Sequence, residues 1–259
     1  MAEAKEDQIK FYSNKICPFG MRAWLTLEVK KIPYEFIHCD LKDKQDFFKE
    51  AYAKALGHAE DNAGKVPIIL HKGKYIAESS IVARYLDYVF SDEDKYGPSI
   101  LPKDAFQRAA VEIMVAWFGD SGWLKFHYGI LMNANPDDQA KSVVDWKKKW
   151  KTLNDRLGEF CDKGTYLPNN QVSLFEICAF PFFERLCTLE HYCKLEIYSK
   201  WMDEFPRVKS WYETVKDNEA FKKCTSTQEF LNNGYKGYRE KAEENYKKWK
   251  EEQAKQEKK

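Results

Sequence analysis

The sequence predicts an α/β domain followed by an all-α domain. Two observations carry this expectation. Segments with strand-like alternation occur only ahead of residue 90, and every apolar pattern after Pro102 has helical spacing. A charged stretch ending in Tyr96-Gly97-Pro98 lies between them and reads as a linker. The expected boundaries are residues 1–90 for the first domain, 91–102 for the linker, 103–234 for the helical domain and 235–259 for a charged helical tail.

Residues 8–12 alternate polar and apolar, as a half-buried strand does, and Ser13-Asn14-Lys15 is a turn. From Pro18 to Lys31 no breaker follows Gly20, and Leu25, Val29 and Ile32 recur at near-helical spacing. Residues 33–39 then read as a second strand. This β-α-β order implies a parallel pair joined by a crossover helix. Residues 46–56 are helical in pattern and 57–64 form a polar loop. Residues 66–70 and 74–77 are strands joined by the tight hairpin His71-Lys72-Gly73. Glu78-Ser79-Ser80 opens a helix whose apolar positions are Ile81, Val82, Tyr85, Leu86 and Val89.

In the second domain, residues 106–132 carry one long helical pattern. Residues 139–160 carry another, with Trp146, Trp150, Leu153, Leu157 and Phe160 on one stripe. Ser173-Leu174-Phe175-Glu176 fits a capping box and predicts a helix start there. Residues 201–224 supply a further helix interrupted near Pro206. The tail is dense in Lys and Glu but keeps a stripe of Tyr235, Tyr238, Ala242, Tyr246 and Trp249. It reads as a helix docked on the body, with a partner-binding or nucleic-acid-binding segment as the alternative.

The charges balance, 42 basic residues against 41 acidic, so nucleic acid is not an expected principal partner. Apolar runs fall short of the roughly 18 residues that a membrane span needs, so no membrane insertion is expected. The polar start Ala2-Glu3-Ala4-Lys5 lacks the apolar core of a secretory signal. The seven cysteines, an odd set without disulfide-scaffold spacing, read as free thiols in a reducing cytoplasm. Cys187, His191 and Cys193 lack a fourth ligand at metal-site spacing, so no metal is expected.

The stretch that carries chemistry is Ile16-Cys17-Pro18-Phe19-Gly20-Met21-Arg22, at the junction of the first strand and helix. A cysteine at a helix N-terminus meets unpaired N–H groups that favour its thiolate. Pro18 suits the first helical turn. Cys17 is therefore expected to be a thiolate nucleophile rather than a buried cysteine that happens to precede a helix. Gly20 stands where a dithiol site would place its second cysteine. A disulfide formed on Cys17 must then be resolved by an external thiol, most simply glutathione. Two later stretches suit such a ligand. Val66-Pro67 could pair its backbone with a peptide if the bond is cis. At Glu78-Ser79, the serine N–H and hydroxyl would hold a carboxylate and Glu78 an ammonium.

These residues together resemble the cytosolic glutathione transferases over about residues 8–230. The block CPFGMRAWLTLEVKKIPYEF is similar to the omega class and its cysteine-type relatives. KVPIIL and ESSIVARYL are similar to the family's glutathione-site motifs, and VSLFEICAFP and FPRVKSWYETV to its later helical motifs. The resemblance implies a thioredoxin-like amino-terminal domain, an all-helical second domain and a homodimer. It implies Cys17 as the catalytic thiol, with Phe19, Leu41, Lys44, Val66, Pro67, Glu78 and Ser79 around glutathione. It also implies a co-substrate wall from Pro18 and the helix of Trp117, Phe118 and Trp123, aromatics that ordinary core packing would equally explain. The expected activity is reduction of a small disulfide, dehydroascorbate or a glutathionylated substrate. The alternatives are conjugation of glutathione to electrophiles, which would favour a hydroxyl such as Tyr12 or Ser13, and a non-catalytic relative of the chloride-channel or elongation-factor kind. The chain departs from the family pattern in a long loop between Lys44 and Val66, in Glu rather than Asp closing the capping box, and in its charged tail.

Overall fold

The computed structural model describes residues 8–58, 63–160, 166–168 and 171–256. Strands β1 (Ile9–Ser13) and β2 (Tyr34–His38) flank helix α1 (Pro18–Val29) and pair in parallel, Phe11 opposite Phe36. Helix α2 (Asp46–Leu56) leads to β3 (Ile68–His71) and β4 (Lys74–Ala77), and α3 (Ser79–Val89) completes the unit. The sheet order is β2-β1-β3-β4, with β3 antiparallel to both neighbours. This is the expected β-α-β-α-β-β-α order and a thioredoxin-like arrangement. The hairpin turns on Lys72 and Gly73, with φ of 48° and 74°. Two positive φ values match the twist of the flanking strands.

Alternation along β1 divides the first domain's core. Ile9 and Phe11 pack with Leu27, Val82 and Leu86 under α1 and α3, and Tyr12 packs with Phe48, Ala51 and Ile68 under α2. At the end of α1 the buried Lys30 ammonium lies 3.1 Å from the Asp87 carboxylate. Asp87 also accepts from Ser99 Oγ at 2.8 Å and Ile100 N at 3.0 Å, which pins the linker to α3. The linker itself contains one helical turn, Glu93–Tyr96.

Every regular element among the described residues of the second domain is helical. The single helix expected over residues 106–132 is two, α4 (Ala105–Asp120) and α5 (Trp123–Leu131). Gly122, at φ 76°, breaks the chain between them. This kink turns Trp123 into the core, against Trp146, Trp150 and Phe183 at centroid distances of 5.3, 5.3 and 4.9 Å. Helix α6 (Pro136–Phe160) buries Trp146, Trp150, Leu153 and Leu157, the stripe read from the sequence. Helix α7 (Leu174–Glu184) starts at the predicted capping box, and all of its residues are buried. Then follow α8 (Leu186–Cys193), α9 (Pro206–Asp217), α10 (Glu219–Cys224) and α11 (Gln228–Gln256). Helical turns over residues 197–204 end at Phe205 and Pro206 opens α9, so the helical run is interrupted near Pro206 as expected. Met21 and Leu25 of α1 join the helical domain's apolar core, which makes the packing between the two domains continuous.

Candidate active site

The turn between β1 and α1 is built by Asn14. Its amide donates to the Cys39 carbonyl at 2.8 Å, its side-chain oxygen accepts from Ile16 N at 3.0 Å, and its carbonyl accepts from Cys17 N at 3.0 Å. The chain thus reaches Cys17 in extended geometry, φ −81° and ψ 120°, as the N-cap of α1. Its Sγ accepts from the Gly20 N–H at 3.5 Å, and Pro18 takes the first helical position. A Cβ on Gly20 would lie 2.3 Å from Ser13 Oγ, so a second cysteine here would require the buried Ser13 to move.

Cys17 opens on a cavity of about 390 Å³ lined by Phe19, Leu41, Lys44, Val66, Pro67, Glu78 and Ser79, and also by Tyr52, Gly64 and Lys65. Every residue expected around the tripeptide therefore faces one space with the thiol. The Val66–Pro67 bond is cis. Glu78 holds φ 67°, a region that a non-glycine residue uncommonly occupies. Ser79 is buried at the start of α3, and its hydroxyl accepts from Arg22 Nη1 at 3.4 Å. Arg22 donates in turn to the Cys178 carbonyl at 3.0 Å and lies against the rings of Phe19 and Phe182. Lys44 donates to the Ala63 carbonyl at 2.5 Å, and the Lys65 ammonium stands over the Tyr52 ring. Residues 59–62 of the long loop lie outside the described residues.

The expected electrostatics of Cys17 need correction. Burial pushes the thiol above its ordinary value, and this outweighs the N–H groups of Gly20 and Phe19 and the charges of Arg185 and Arg22, all of which pull it down. The helix terminus acts on Sγ as anticipated, but removing the sulfur from water costs the anion more.

The aromatics expected as a co-substrate wall sit elsewhere than this cavity. Trp123 and Phe118 are buried in the helical core, and Trp117 is half-buried at the surface under the Arg156 guanidinium. Pro18 is buried at the helix start. Tyr12 and Ser13 are buried too, and the Tyr12 phenol is pushed up to about 12, chiefly by burial. Neither is among the residues lining the cavity.

Tyr52, Lys65 and Arg185 were not singled out in the sequence. Tyr52 follows Phe48 by one helical turn, so periodicity turns it inward, but only the fold brings α2 beside Cys17. Arg185 directly follows the wholly buried α7, and its nitrogens reach the Lys15 and Ile16 carbonyls at 3.1–3.3 Å. A charged pair at the end of an apolar run was the available signal.

A thiol at a helix start lies beside a cis-proline and a helix that begins at Ser79, within a thioredoxin-like domain. Comparison with known families agrees: the model described as "Glutathione S-transferase, N-terminal domain" matches residues 11–94. The chain carries that domain, and omega-class glutathione transferases are among its homologues. Pig glutathione S-transferase omega-1 is 26% identical over 223 residues, spanning 83% of this chain and 85% of that protein. The fold as a whole is that of glutathione transferases. A tau-class enzyme from mango superposes with a TM-score of 0.77 at 23% identity, over 90% of this chain and 99% of that one. A rice enzyme solved in complex with glutathione superposes with a TM-score of 0.75 at 19% identity, over 91% and 98%.

Proposed function

We propose that the protein is a glutathione-dependent thiol transferase acting through a Cys17–glutathione mixed disulfide. The observation that carries this reading is the convergence of Cys17, Val66-Pro67 and Glu78-Ser79 on one cavity, with no second cysteine at position 20. Glutathione is the co-substrate of the family, and its extended tripeptide suits the site. The Val66 backbone would pair with the cysteinyl residue. Ser79 at the start of α3 would take the γ-glutamyl carboxylate and Glu78 its ammonium. Lys44 would face the glycyl carboxylate.

The chemistry follows from these positions. Cys17 gives up its proton and its thiolate attacks the glutathionyl sulfur of a mixed disulfide. The S–S bond breaks, its electron pair leaves with the substrate thiolate, and that thiolate takes up a proton. A second glutathione thiolate then attacks the glutathionyl sulfur held on Cys17. Glutathione disulfide departs, one half of it from the substrate and the other from the attacking glutathione, and Cys17 regains its electron pair as the thiolate. Gly20 N–H and the nearby guanidinium groups support the thiolate at each stage.

A cysteine favours this chemistry over conjugation, and burial of Tyr12 and Ser13 leaves no hydroxyl at the cavity from β1 to activate a bound thiol. Among the described residues no helix is long and apolar enough to cross a membrane. The working compartment on this reading is the cytoplasm, where glutathione keeps thiols reduced. We further read the exposed Ile81 and Tyr88 of α3 and Phe106 and Ile113 of α4, around the Arg84–Glu112 ion pair, as the face of a homodimer, which sedimentation equilibrium would detect or exclude. The deciding experiment on function measures reduction of glutathionyl mixed disulfides and of dehydroascorbate by wild type and Cys17→Ala. The variant should lose at least about a hundredfold in rate if Cys17 is the nucleophile. Undiminished turnover, or no glutathione adduct on the Cys17 peptide by mass spectrometry, would overturn the reading.

A further inference from the structure

Arg185 sits between α7 and α8 with its side chain only 2% exposed. Each of its guanidinium nitrogens is engaged. Nη1 pairs with the Glu184 carboxylate at 2.7 Å and donates to the Pro181 carbonyl at 2.6 Å and to Met21 Sδ at 3.5 Å. Nε and Nη2 converge on the Ile16 carbonyl at 3.2 and 3.1 Å, and Nη2 also reaches the Lys15 carbonyl at 3.3 Å. A residue of the second domain thus holds the two peptide groups directly before Cys17. The second carboxylate oxygen of Glu184 accepts from Ser226 N at 2.6 Å, just ahead of α11. The same turn is pressed from its other side by α11, where Gly234 packs against the Ile16 side chain.

Burying a guanidinium is expensive unless it is paired and fully hydrogen-bonded, and pairing a buried ion commonly gives little net stability. Three of the contacts here go to the turn that aims a reactive thiol. We propose that Arg185 is a positioning residue for Cys17: its fork fixes the Lys15 and Ile16 carbonyls, and its charge, held in check by Glu184, favours the Cys17 thiolate. The inference rests on the reading of Cys17 as the nucleophile. A planar fork on a carbonyl pair is a task that a single ammonium performs less well.

Other groups also act on Cys17. Arg22 comes from α1, while Tyr128 of α5 and Tyr235 of α11 interact with it electrostatically. Lys44, Tyr52, Lys65 and Glu78 line its cavity. What separates Arg185 from them is its pairing with Glu184, because changing each partner moves the local field in opposite directions.

The test is the pH profile of Cys17 alkylation by iodoacetamide, followed by mass spectrometry of the Cys17 peptide. Neither glutathione nor a substrate is present, so failure of the catalytic reading does not alter the outcome. Arg185→Gln should move the midpoint up by about one pH unit, a roughly tenfold slower reaction at pH 7.5. Glu184→Gln keeps the shape but leaves the guanidinium unopposed, so the midpoint should fall by about half a unit. Arg185→Lys retains the charge but not the planar fork, so its midpoint should lie between those of wild type and Arg185→Gln. Shifts of the same sign in Arg185→Gln and Glu184→Gln would overturn the proposal, as would an unmoved midpoint in folded Arg185→Gln. Should Arg185→Gln fail to fold, Glu184→Gln decides alone: a midpoint that does not fall overturns it.

Discussion

Gly234→Ala probes how closely the last helix bears on the cysteine turn. A Cβ at this position would lie 2.3 Å from Ile16 Cδ1 and 2.7 Å from Cγ1, but 3.9 Å from Ile16 Cβ. The first two separations are far inside van der Waals contact, and the third is ordinary. In the interior of a helix alanine is otherwise better than glycine by about 1 kcal/mol. Forcing two such overlaps in packed surroundings costs about 1–3 kcal/mol net. Gly234→Ala should therefore destabilise the wild-type protein by about that amount. In an Ile16→Ala background both clashing atoms are gone, and the same substitution should stabilise by up to about 1 kcal/mol. The two backgrounds differ by about 1–4 kcal/mol, a coupling above what independent sites show. Urea denaturation followed by tryptophan fluorescence on the four proteins of the cycle measures it. If Gly234→Ala is neutral or stabilising in the wild-type background, or the coupling is under about 0.5 kcal/mol, α11 does not seat on the Cys17 turn as described.

Two further outcomes follow from buried groups in the helical domain. The Glu176 carboxylate accepts from Leu167 N and Trp211 Nε1 on one oxygen and from Ser173 N and Oγ on the other. Glu176→Ala strands three buried N–H donors at about 1–3 kcal/mol each, so a loss of about 4 kcal/mol or more is expected by denaturant titration, with Glu176→Gln losing less; unchanged stability of the alanine variant would contradict the accounting. His127 is fully buried near Arg185, and burial holds its imidazole down to about 3. Its folded value is depressed below the usual unfolded one of about 6.5, so the unfolded chain binds the extra proton and stability falls as pH drops from about 6.5 towards 3. Wild type should lose about 1.4 kcal/mol per pH unit more than His127→Gln over that window, and parallel curves for the two proteins would refute this.

Much of the first domain was legible in the residues because its signals are local. The alternation of residues 8–12, the gap between breakers from Pro18 onward and the His71-Lys72-Gly73 turn each act over a few residues, and β1, α1 and the hairpin form where they predict. Cys17, Val66, Pro67, Glu78 and Ser79 stand just ahead of a strand or at the start of a helix, positions that local sequence marks. Gly122 shows where local reading stops. The apolar spacing of residues 106–132 runs on through it, and only the packing of Trp123 against Trp146 and Trp150 requires the break.

What the sequence determined by itself is the order of elements in the first domain, the lone thiol at a helix start and the absence of a partner cysteine at position 20, because these depend on residue type and spacing along the chain. Tertiary structure alone decided the rest. It turned Trp123 and Phe118 into the core rather than towards Cys17, and it brought Arg185 to the carbonyls of Lys15 and Ile16 from more than 160 positions away. It also reversed the expected shift of the Cys17 thiol. A helix N-terminus is a local feature that spacing reveals, whereas desolvation is the sum of everything packed around the sulfur.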